Sequence, residues 1–242
     1  MVEVVGRRAV LLAAAPSYAA FCELKQDAKV DWRSRKGSRL EAEEILEATV
    51  RLSGRLPDLI AVDMPLSTEP ISRRRAADDL VSSAFGAMGA GTHSPSVERP
   101  GAHGRNLQRA FEKQGYVLQT MRRQTSAKQL IEVYPHPALI HLCRSDRRLP
   151  YKASKCSQYW PGMTASERKE SLLRVWREIA ERLEHEIAGA QSAISEAIRS
   201  CRSKKAAEDV IDAIVCAWVG VCFLKGSVTG FGDSAAAIWI PA

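Results

Sequence analysis

Apolar positions along this chain alternate between short continuous runs and longer segments with helical spacing. The first run lies within residues 8–15 and closes at Pro16, which predicts a strand, and the charge-rich stretch to Gly37 predicts turns or a hairpin edge. In residues 38–52, SRLEAEEILEATVRL, apolar side chains recur every three or four positions. That spacing predicts a helix, with Ser38 as N-cap and Gly54 as the stop. A second strand follows at residues 59–62, ending at Asp63 and halted by Pro65. Further along, the pattern predicts helices over 71–88 and 106–114, then a strand at 130–133 broken by Pro135 and Pro137, with a helix restarting after Pro137. A helical region over 164–198 is interrupted near Gly189, and a last helix over 204–224 leads through Gly-rich turns to a closing strand, AAIWIP. Strands alternating with helices predict an α/β architecture, read as one domain over residues 1–242.

Composition sharpens this only slightly. A net charge of +7 makes a polyanionic partner such as nucleic acid reasonable, although charge alone does not select one. Six cysteines without a CxxC pair or zinc-ligand spacing fit a reducing cytoplasm better than a disulfide framework. The longest apolar stretch, AIVCAWVGVCFL, is about half the ~20 residues that cross a bilayer, so it reads as a buried helix and no membrane partner is expected. The N-terminal GRRAVLLAAAPSYAAF has a basic pair before a short apolar run, as a secretory signal does, but the strand reading is preferred.

Three groups of residues carry the candidate chemistry. Asp63 ends one predicted strand and Glu132 lies inside another, while EDVIDAI on the last helix carries Glu208, Asp209 and Asp212. Ligands of open α/β sheets bind at the carboxyl ends of strands, so Asp63 and Glu132 are expected to point toward one place. Asp209 and Asp212, three residues apart, share a helix face, and converging carboxylates suit Mg²⁺ or Mn²⁺. The alternatives are ordinary: Asp63 as a cap, Glu132 in a salt bridge, Asp209 and Asp212 on a solvated stripe. Arg73, Arg74 and Arg75 follow the Asp63 strand and could touch phosphates, or simply start a helix. His93, Ser94, Ser96 and Arg99 lie in GAGTHSPSVERPGAHG, a loop long enough to suggest function. His136, between two prolines, could reach the same crevice, and Lys152 and Lys155 stand among Tyr151, Tyr159 and Trp160, a mixture of charge and stacking faces found in single-strand binders and equally in cores.

Taken together, AVDMPLS, RRRAADDLVSSAFGA, THSPSVERPG, IEVYPHPALI, LPYKASK, YWPG and EDVIDAIVCAWVG resemble, in order, domain-of-unknown-function family 429, whose members are described as predicted ribonuclease H-like nucleases. The resemblance implies a ribonuclease H-like mixed sheet flanked by helices, with Asp63, Glu132 and Asp212 as metal ligands and Asp209 beside them. It also implies a metal-dependent nuclease with a nucleic-acid partner. Similar chains open with a strand of the type Gly-Ile-Asp-Ala-Ala that bears a central acid, whereas this sequence opens at MVEVVGRRAVLL. The expectation is therefore a fold short at its N-terminus, with apolar surface left in water and reduced solubility. A non-catalytic nucleic-acid or protein-binding module is the alternative. An ATP-dependent transferase ranks last, because its nearest phosphate loop, GAMGAG, follows a helix where a cradle should precede one.

Overall fold

The computed structural model describes residues 1–26, 30–33, 41–96 and 102–242. Its centre is a five-stranded mixed sheet built from β3 (Leu59–Val62), β4 (Val117–Leu118), β5 (Gln129–Val133), β6 (Val228–Gly232) and β7 (Ala237–Pro241). β5 pairs in parallel with β3 on one side and with β4 and then β7 on the other, and β6 closes the far edge antiparallel to β7. A separate hairpin joins β1 (Val2–Val5) to β2 (Arg8–Leu11). The strand expected over 8–15 is thus present but shorter, and its partner β1 had no clear signal because a four-residue run with Glu3 at its centre lacks a distinctive period.

Helices cover both faces of the sheet. On one side lie α2 (Ala42–Ser53), α3 (Ala76–Phe85) and α4 (Ala102–Lys113). The other carries α7 (Ala165–Glu186), α8 (Ala190–Ser200) and α9 (Lys204–Leu224), with α5 (Pro135–Cys143) at the strand ends. Short helices α1 (Tyr18–Cys22) and α6 (Cys156–Tyr159) complete the order. Alternation along β5 explains the division: Ile131 and Val133 pack in the large core with α9, whereas Leu130 packs against α2 and α4.

Local signals explain several boundaries. Gly54 ends α2 at φ 77°, a left-handed cap that suits glycine, while the proposed Ser38 cap lies outside the described residues and Glu41 takes that position. The helix expected after Pro137 begins two residues earlier, at Pro135, because prolines in a first turn sacrifice no intrahelical hydrogen bond. Thr164 forms a capping box with Glu167 at the start of α7, and Gly189, at φ 89°, separates α7 from α8. The apolar run of the last helix is buried along α9, and no helix among the described residues is long and apolar enough to cross a membrane.

β3 is the edge on the side opposite β6, and no strand among the described residues pairs with its outer side. The outer side of β3 lines a cavity of about 310 Å³ together with Val2, Glu3 and Val4 of the hairpin, with Ala213, Ala217 and Gly220 of α9 along its wall. Gly220 matters to the site. A Cβ there would lie 3.3 Å from Leu59, so glycine lets α9 approach β3 closely and carries Asp212, two turns earlier, toward the end of that strand.

Candidate functional site

Asp63 follows the last residue of β3, and Glu132 stands beside Val62 in the paired register. Paired residues share a sheet face and successive residues alternate, so Asp63 and Glu132 leave the sheet on opposite faces. The expectation that the two acids point to one place is not met. Sequence alternation is legible strand by strand, but the register between β3 and β5 is set only by folding.

Glu132 is 4% exposed and fully engaged. Arg75 donates to both of its oxygens, at 2.6 and 2.7 Å, and the Leu66 amide donates to one of them at 2.7 Å. Asp78 takes two further bonds from the same guanidinium, and Arg75 Nη1 also donates to the Leu66 carbonyl at 2.7 Å. Burial works against the charged form of Arg75, yet its hydrogen bonds to Glu132 and Asp78 outweigh it and raise its pKa, while burial pushes the Glu132 carboxyl up to about 7 against the pull of Arg75 and the Leu66 amide. Gln108 of α4 holds the next residue by its amide and carbonyl, both at 3.0 Å. Glu132, Arg75 and Gln108 therefore fix the loop that presents Asp63.

The acid site itself forms on the α9 face. Asp63 makes no hydrogen bond or salt bridge to a described residue, although its side chain opens to solvent. Protein crowded around it strips hydration, and this desolvation, with the charge of Asp212, pushes its carboxyl up to about 7 against the opposing pull of Lys152. Asp212 accepts from Tyr151 Oη at 2.8 Å and Lys152 Nζ at 2.6 Å. One turn earlier, Glu208 meets the same ammonium at 3.3 Å and accepts from the Ala153 amide at 2.7 Å. Desolvation raises the Asp212 pKa too, against Lys152 and Tyr151, and keeps Tyr151 well above an ordinary phenol, as a hydrogen-bond donor. Asp209 is more solvent-facing, its side chain 46% exposed and paired with Lys205. One oxygen each from Glu208, Asp209 and Asp212 can lie within 4.8 Å of the others, a hard-donor set suited in chemistry to Mg²⁺ or Mn²⁺, though Lys152 and Lys205 already neutralise it in part.

The basic candidates separate into structural and open groups. Arg75 belongs to the Glu132 cluster, and Arg74 is spent on Asp79, Ser82, Thr92 and Ser94, tying the start of α3 to the loop beyond it. Arg73 and His93 are exposed, Ser96 is half-buried and Arg99 lies outside the described residues. His136 is buried in the first turn of α5, its ring 5.3 Å from that of Tyr134 and 5.4 Å from that of Tyr151. Burial, then the charges of Arg148, Lys152, Lys155 and His93, push its pKa down to about 2, so the ring is neutral. Lys152 reaches Asp212 from a segment that Trp176 pins by a 2.8 Å bond to the Tyr151 carbonyl, and Lys155 ends the 3₁₀ turn Ala153–Lys155 that follows. GAMGAG caps the carbonyl end of α3, the end unfavourable to phosphate.

Sequence reasoning placed Tyr151 only among the aromatics and left out Arg148. Their signal is weak in one dimension, because a tyrosine that donates to a distant acid has the same local pattern as a core tyrosine.

The fold and site define an α/β protein with a mixed sheet and a carboxylate cluster where β3 meets α9. Residues 19–237 match the family described as protein of unknown function DUF429, and the chain belongs to that family. No curated protein and no solved structure matches it.

Proposed function

We propose that this protein is a metal-dependent phosphodiesterase acting on nucleic acid, with Mg²⁺ or Mn²⁺ held between Asp63 and the α9 acids. One observation carries the reading: Asp63 is an unpaired carboxylate facing Asp212, at the carboxyl end of a sheet strand. Like charges so placed require a shared proton or a cation. A divalent metal, when bound, supplies charge stabilisation and an acidified water. Asp63, titrating near neutrality, is suited to accept a proton at working pH. Tyr151 and Lys152 orient Asp212, and Glu132 acts at one remove by holding the Asp63 loop. The surplus of basic residues supports a polyanionic substrate, in keeping with the ribonuclease H-like resemblance.

The test is cleavage with Mg²⁺ or Mn²⁺ of single-stranded RNA, single-stranded DNA, a hybrid and a four-way junction. Asp63→Asn and Asp212→Asn are expected to abolish cleavage while leaving salt-sensitive binding intact. Normal cutting by both variants would overturn the assignment. A second reading, a non-catalytic nucleic-acid-binding member of the fold, draws on the ammonium of Lys152, which already neutralises Glu208 and Asp212. Salt-sensitive binding without cleavage by the unaltered chain in either metal would favour it.

A further inference from the structure

The cavity of about 310 Å³ beside β3 is bounded by two strands that belong to different sheets. Leu59, Ile60 and Ala61 of β3 line it, and so do Val2, Glu3 and Val4 of β1. Among the described residues β3 pairs only with β5 and β1 only with β2, while β2 meets Ala188 on its other side. Each of the two lining strands therefore keeps one edge without a strand partner. Helices supply the remaining walls: Leu46 and Thr49 of α2 from one face of the sheet, Ala213, Ala217 and Gly220 of α9 from the other. Along β3, Ile60 packs toward the α2 core and Leu59 and Ala61 toward the α9 core. The cavity thus lies between the helix layers, in the layer of the sheet itself.

Such a slot restricts what can occupy it. A strand edge offers main-chain N–H and C=O groups at intervals of about 3.3 Å per residue, and an extended backbone is what pairs with them. β1 and β3 each run for four residues, which sets the length of a matching segment. Its side chains should be apolar. Leu12, Leu56 and Leu224 stand at the walls 40%, 38% and 49% exposed, an apolar surface that an occupant would cover, and the small side chains of α9 leave it room. Charge narrows the choice further. The acid Asp58 is paired with Arg55, whereas the Glu3 side chain has no hydrogen bond or ion pair to a described residue, so a lysine or arginine on the occupant would complement it.

We propose that this slot is a docking site for an extended, apolar peptide segment of a second protein, which adds as a strand between β1 and β3 and places a basic side chain against Glu3. Main-chain hydrogen bonds to both edges supply the affinity, and the helix walls and Glu3 supply the choice of side chains. The slot does not depend on the phosphodiesterase reading, and its test involves no cleavage.

The experiment is selection of displayed short random peptides against the unaltered chain, then titration of the enriched peptides, by fluorescence polarisation, into that chain and its variants. Enriched sequences are expected to alternate apolar residues and to carry one lysine or arginine. Their binding should slow amide hydrogen exchange at Val2–Val4 and Leu59–Ala61. Ala217→Leu, which fills the slot from a half-buried position, is expected to weaken binding about tenfold or more, and Glu3→Gln about threefold, while Leu80→Ala on exposed α3 leaves it unchanged. If Ala217→Leu fails to fold, Ala213→Leu, from an exposed position on the same wall, carries the comparison. No enriched peptide, affinity unchanged in both slot-filling variants, or slowed exchange that spares β1 and β3 would overturn the slot. Enriched peptides without a basic residue, and undiminished affinity in Glu3→Gln, would overturn the charge assignment. A dimer of the unaltered chain in sedimentation that Ala217→Leu abolishes would overturn the second protein as occupant in favour of a second copy.

Discussion

Asp63 and Glu132 leave adjacent parallel strands at nearly the same level, and desolvation raises each carboxyl to about 7, yet their bonding partners differ. On the α3 face, Glu132 is enclosed by Arg75, the Leu66 amide and, through Arg75, Asp78. On the α9 face, no cation among the described residues is bonded to Asp63; Asp212 raises its carboxyl and the ammonium of Lys152 pulls against it from a distance. Two acids at equivalent strand ends thus serve different ends. One holds the backbone in place, and the other has no cation bonded to it among the described residues. A strand-end acid with a perturbed pKa signals a reactive site only when no cation is bonded to it.

The largest effect should come from breaking the closed side. Arg75→Met leaves Glu132 and Asp78 buried without their cation and is expected to cost about 3–5 kcal/mol in urea unfolding. A cost under about 1 kcal/mol would show that the Glu132 cluster does not hold the loop. Next comes the ammonium that spans the open side. Lys152→Met removes the partner of Asp212 and Glu208, whose side chains are 14% and 3% exposed, and should lower stability by about 1.5–3 kcal/mol. Added Mn²⁺ should raise the melting temperature of this variant more than that of the unaltered chain; an equal response would argue that the α9 acids do not hold a cation.

The smallest effect is a pH dependence. With its carboxyl raised to about 7 in the fold, from an ordinary 3.8, Asp63 keeps a proton that the unfolded chain has lost between those values. Its contribution to stability is therefore greatest below pH 4 and is lost as pH rises toward 7. Asp63→Asn should remove that loss and narrow the difference in melting temperature between pH 5 and pH 8. An unchanged difference would mean that Asp63 titrates as an ordinary exposed acid.

Much of the secondary structure was legible in one dimension because its signals are local. β3 falls on residues 59–62 and α9 on 204–224 as expected, the first as a short apolar run before Asp63-Met64-Pro65, the second as a long apolar helix opened by Ser203. β4 and β6 were missed: two residues, or a run containing Gly230 and Gly232, carry no readable period, and only pairing with β5 and β7 makes them strands. Within the site, Asp63 and Asp212 do come together, but Glu132 and Arg75 belong to the opposite face. The sequence by itself determined which segments fold, where α9 carries its acids and that Asp63 ends a strand, since periodicity and caps act over a few residues. Only tertiary structure decided which acid is paired and which stands open, because register, sheet face and the supply of counter-charges are settled between residues far apart in the chain.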